Sequence, residues 1–106
     1  MGYGQYYRKS QNEALCQKLH EEANRFFIGK EQTLESYQEE ALVNHLAEMI
    51  LRSANKAPID PLDKAMFNEL SNESLEQARS IVRLLEHLPD DEAYLLAIHF
   101  EVTNYN

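Results

Sequence analysis

The stretch Ala41-Leu42-Val43-Asn44-His45-Leu46-Ala47-Glu48-Met49-Ile50-Leu51-Arg52 decides the fold. Leu42, Val43, Leu46, Met49 and Ile50 recur at helical spacing, so the segment reads as an α-helix with one apolar and one polar face. At about 100° per residue, His45 falls on the edge of the apolar face, in line with Ala41, Glu48 and Arg52. A second segment has the same character. Leu88-Pro89-Asp90-Asp91-Glu92-Ala93-Tyr94-Leu95-Leu96-Ala97-Ile98-His99-Phe100 opens on proline and carboxylates, which suit a helix N-terminus, and closes on a histidine. An imidazole in apolar surroundings costs desolvation energy unless it has a partner, so its occurrence in two separate helices asks for a purpose.

Working outward, only three glycines and three prolines punctuate 106 residues. β-branched residues never alternate with polar ones over a strand length, so the expected fold class is all-α. A first helix is expected from Ser10, where Ser10 and Glu13 have capping-box spacing, to Gly29, with Leu15, Leu19, Ala23, Phe26 and Phe27 as its stripe. The His45 segment extends to a second helix over residues 34–53, closed by the Pro58 to Pro61 break. Leu62, Ala65, Met66 and Leu70 suggest a short third helix. Ser71-Asn72 caps a fourth, whose Leu75, Ala78, Ile81, Val82, Leu85 and Leu88 keep helical spacing. The fifth, running to about Thr103, is apolar around most of its circumference and is expected at the centre, with Glu92, His99 and Thr103 as its polar strip. The length fits one domain, here residues 9–106, preceded by a Tyr-rich tail over residues 1–8 that is a candidate for disorder.

Composition excludes several functions. A formal charge of -8 repels phosphate backbones and anionic membranes, and Lys and Arg are too scattered to form a basic patch. Direct nucleic-acid binding is therefore not expected. One cysteine, Cys16, closes no intramolecular disulfide and supplies no Cys-x-x-Cys motif. No signal peptide or membrane span is apparent, so a cytoplasmic protein is expected. A di-iron bundle would need Glu-x-x-His pairs, yet Gln17, Leu42, Leu84 and Leu96 precede the four histidines at that spacing. His-Glu-x-x-His, Gly-rich phosphate loops and Gly-x-Ser-x-Gly are also missing, so neither catalysis nor a cofactor is expected. His20 and His87 read as ordinary surface histidines.

Taken together, the two histidine segments resemble the phosphotransferase-system regulation domain, the PRD family of bacterial sugar-utilisation regulators. One family motif is a histidine after a polar residue and then an amphipathic stretch closing on Arg, as in Asn44-His45-Leu46 through Arg52. The other is an acidic proline start leading to a buried helix that ends in histidine, as in Pro89 to Glu92 through Ala97-Ile98-His99. Pro58 to Pro61 and Ala78 match the proline loop and the alanine between them, so the resemblance covers residues 34–103. Asn44 stands where the family more commonly carries an acidic residue, and no second copy of the domain follows.

The resemblance implies a compact five-helix bundle, usually a homodimer, whose histidines accept phosphoryl groups from the histidine phosphocarrier protein or from sugar-permease subunits. Carried over residue by residue, it gives His45 and His99 as phosphorylation sites, with Asn44, Arg52 and Glu92 in support. It further implies indirect control of transcription of a sugar-uptake operon, as in antitermination, with no metal, no catalytic residue, and no direct nucleic-acid or membrane contact. By helical geometry Arg52 would attract a phosphoryl group on His45 while Glu92 would oppose one on His99. Opposite effects of the two modifications on subunit association are therefore expected. Two other readings stay open: a PRD-like dimer or adaptor that is not phosphorylated, and a metal-binding bundle using His45, Glu48, Glu92 and His99.

Overall fold

A computed structural model describes residues 2–106. Its described residues form five α-helices: α1 (Gly4–Lys9), α2 (Glu13–Gly29), α3 (Ser36–Asn55), α4 (Asn72–Val82) and α5 (Asp91–Glu101). Two 3-10 turns, Lys64–Phe67 and Val102–Tyr105, complete the secondary structure.

The His45 segment folds as expected. Leu42, Val43, Leu46, Met49 and Ile50 are all buried on one face of α3. They meet Leu19, Ala23 and Phe27 of α2, Ala78, Ile81 and Val82 of α4, and Ala93, Leu96, Ala97 and Phe100 of α5 in one core. Phe100 is the largest of the fully buried side chains, with ring centroids 5.7 Å from Phe26 and 5.4 Å from Phe27.

Five expectations are revised. The long helix begins after Asn12, whose side chain accepts from the Leu15 amide at 3.3 Å, and Ser10 instead closes the preceding α1. Ser10 donates to the Tyr7 carbonyl at 2.6 Å, and Gln11, at φ 62°, turns the chain between the two helices. Of residues 1–8, expected as a tail, Gly4 to Arg8 form most of α1, and Tyr3, Tyr6 and Tyr7 pack against the core, while Met1 lies outside the described residues. The third helix is only a 3-10 turn, capped by Asp63 on the Ala65 amide, because Met66 has nothing to bury against and stays 79% exposed.

The fourth helix stops at Val82 rather than reaching Leu88, and His87 reverses the chain at φ 63°. Leu85 and Leu88 still pack on the core, but from turns, which is why their spacing imitates helix. Early termination lets α5 fold back along α4, where Arg79 grips both oxygens of Asp90 at 3.0 Å and Glu76 at 2.8 Å. At the other end, Glu101 accepts from the Ser71 amide and hydroxyl, both at 2.9 Å. Burial pushes the Glu101 carboxyl up, but hydrogen bonds from Ser71, Asn104 and Ser74 outweigh it and bring the pKa down to about 2. Finally, α5 is buried on one side only: Ile98 is 42% exposed, so its apolar circumference is not wrapped by the bundle.

Candidate functional site

The lateral packing of α3 and α5 brings His45 and His99 side by side. Their ring centroids are 5.1 Å apart and the planes are tilted by 41°, although the residues are far apart in sequence. Both rings are half-buried. Nε2 of His45 is enclosed and has no hydrogen-bond partner. Desolvation, helped by the charges of His99 and Arg52, lowers the His45 pKa to about 3. Desolvation also lowers that of His99. The pair is therefore neutral near pH 7, and each neutral imidazole keeps one nucleophilic lone pair.

This pKa carries a prediction. His45 titrates at about 3 in the folded chain and near 6.5 when unfolded, so the unfolded state binds the extra proton between those values. Stability should fall as pH drops from about 6.5 toward 3, and the His45 ring resonances should not titrate between about pH 8 and 5 in NMR. A midpoint close to 6.5 would contradict the enclosed, neutral ring.

Arg52 and Glu92, assigned in the sequence reading to different histidines, bind each other. Arg52 donates from Nε at 2.6 Å and from a terminal nitrogen at 2.8 Å to the two Glu92 oxygens. Glu92 is wholly buried, while the Arg52 side chain is 22% exposed. Hydrogen bonding to Glu92 raises the Arg52 pKa, so the guanidinium stays charged. Neither residue therefore acts on its own histidine alone, and the basis for opposite effects at His45 and His99 is lost. The rings also share one surface.

Asn44 meets α1. Its side-chain oxygen accepts from Lys9 Nζ at 2.7 Å, and Lys9 also reaches Glu48 at 3.2 Å. Lys9 has no signal in the sequence, because α1 meets α3 only after folding. The metal reading loses its carboxylates: Glu92 is held by Arg52 and Glu48 by Lys9. Among the described residues no group of three or more His, Cys, Asp or Glu is placed to hold an ion.

His87 is exposed, as expected, but His20 is not a surface residue. It is 5% exposed, with Tyr7 hydroxyl 2.7 Å from Nδ1 and a Glu39 oxygen 2.8 Å from Nε2. The edge of Tyr3 packs against its ring at 5.0 Å. With Nε2–H donating to Glu39 and Tyr7 donating to Nδ1, both nitrogens are satisfied. His20 thus ties α1, α2 and α3 together.

Among the described residues no helix is long and apolar enough to cross a membrane. No curated protein matches the chain. The solved structure of a PRD-containing transcription regulator from Lactobacillus casei ATCC 334 is similar, with a TM-score of 0.81 and 31% identity. The similarity covers 88% of this chain and 83% of that one. The model of the PRD domain matches residues 15–103, a span that includes both His45 and His99. With the family motifs on α3 and α5 and the helical bundle that joins them, the chain belongs to the PRD domain family.

Proposed function

We propose that this PRD is a regulatory domain whose His45 and His99 accept phosphoryl groups from the sugar phosphotransferase system. Its phosphorylation state then controls transcription of a sugar-uptake operon through self-association or partner binding. The observation that carries the reading is the pair of adjacent, neutral imidazoles, 5.1 Å apart, supplied by two helices that the family motifs mark. The L. casei protein of the same fold is a transcription regulator, which fits a regulatory role. Transfer from another phosphohistidine exchanges one P–N bond for a similar one, so positioning and charge neutralisation carry most of the step. The donor is the histidine phosphocarrier protein or a sugar-permease subunit, and the place is the cytoplasm.

Each phosphoryl group adds a charge of about -2 at the half-buried boundary. Because the rings lie together, either modification changes the same surface, next to exposed Ile98 on α5. Sedimentation equilibrium of unmodified and phosphorylated protein tests the regulatory output. Phosphorylation is expected to weaken self-association at least about tenfold, the same sign at either histidine, because added charge opposes burial of that surface. Equal association constants would remove the switch.

A further inference from the structure

Arg52 is near enough for its charge to lower the His45 pKa, but it is already engaged. It gives two hydrogen bonds to buried Glu92. A second cation is Lys9, the last residue of α1, upstream of the matched residues 15–103. Its ammonium lies 2.7 Å from Asn44 Oδ1 and 3.2 Å from Glu48 Oε2. Asn44 immediately precedes His45, and Glu48 lies one turn further along the line of His45. Asn44 and Glu48 use two of the three ammonium donors, and the Lys9 side chain is 40% exposed, so it has room to move. The rest of α1 is held separately, by Tyr6 on Glu40 at 3.3 Å and by Tyr7 on His20 at 2.7 Å.

We propose that Lys9 is the phosphoryl-binding cation of the His45 site, delivered by α1 and exchanged from Glu48 to the phosphoryl oxygens when His45 is modified. The inference rests on His45 being a phosphoryl acceptor. A phosphoryl of about -2 outcompetes a single carboxylate for a flexible ammonium. The N-terminal helix then becomes part of the phosphorylation site: modification strengthens its attachment to α3, and Glu48 tunes the site as the competing anion. His99 has no such contact to Lys9, so the effect is specific to His45.

Phosphoramidate is the donor for the test, because it needs no protein partner. Its P–N bond breaks as a ring lone pair of His45 forms the new one; ammonia leaves and takes the proton from the ring's other nitrogen as ammonium, so the ring stays neutral. Site-resolved mass spectrometry follows label at His45 and His99 in the full chain and in Lys9→Gln, Lys9→Arg, Glu48→Gln and Tyr6→Phe. Lys9→Gln should lower the rate at His45 about fivefold, with Lys9→Arg restoring it and Glu48→Gln raising it about twofold. His99 should be unaffected throughout, and Tyr6→Phe, which loosens α1 but keeps the charge, should label normally. Lys9→Gln and Glu48→Gln break the same ion pair, so a merely structural bridge would make them act alike. Equal losses in both, a normal rate in Lys9→Gln, or no label at His45 in any form would overturn the proposal. Failure of the phosphotransferase proteins to label the chain would instead remove the reading of its donor, a separate outcome.

Discussion

Replacing Arg52 by methionine is expected to cost the fold about 3–5 kcal/mol at pH 7, read from the urea midpoint, because it strands a buried carboxylate. Glu92 has no exposed surface, and both of its oxygens are bound by Arg52. Taking away the partner leaves the full desolvation penalty without compensation, a loss much larger than that of a surface ion pair, at about 0–1 kcal/mol. The double variant Arg52→Met with Glu92→Met should recover most of the loss, since well-packed apolar side chains often replace a buried pair without net cost. The functional consequence follows from position: the pair joins α3 to α5 beside the two rings. A loss below about 1 kcal/mol in the single variant would mean that Glu92 is solvated and the two helices are joined by other contacts.

Phe100→Ala is expected to lower stability by about 3–5 kcal/mol, through lost transfer energy and the cavity left behind. At roughly 4–8 °C per kcal/mol for a domain of this size, the melting temperature should fall well beyond measurement error. Phe100 is 2% exposed and packs against both Phe26 and Phe27, so α2 and α5 lose their shared anchor together. His99 is its neighbour in sequence, and its ring should lose its fixed separation from His45. A loss under about 1 kcal/mol would show that the core closes over the gap.

Helical periodicity made the core of α3 legible because Leu42, Val43, Leu46, Met49 and Ile50 all answer to one local rule. The His45 and His99 segments were legible for the same reason, each being a local pattern. What escaped was held by contacts between elements. His20 looks like a surface residue along its own helix, yet Tyr7 and Glu39 from two other helices bury it and satisfy both nitrogens. Lys9 finds Asn44 across a separation of 35 residues, and Arg52 finds Glu92 across 40. Continuous apolar spacing through Leu85 and Leu88 also hid the end of α4, because side chains on turns can reach the core as helical ones do.

The most direct measurement is site-resolved mapping of acid-labile phosphate after incubation with phosphoenolpyruvate, the general phosphotransferase enzyme, the phosphocarrier protein and permease subunits. The account predicts label on His45 and His99, each lost only in its own alanine variant, and none on His20 or His87. Label confined to His20 or His87, or no label on any form, would contradict it.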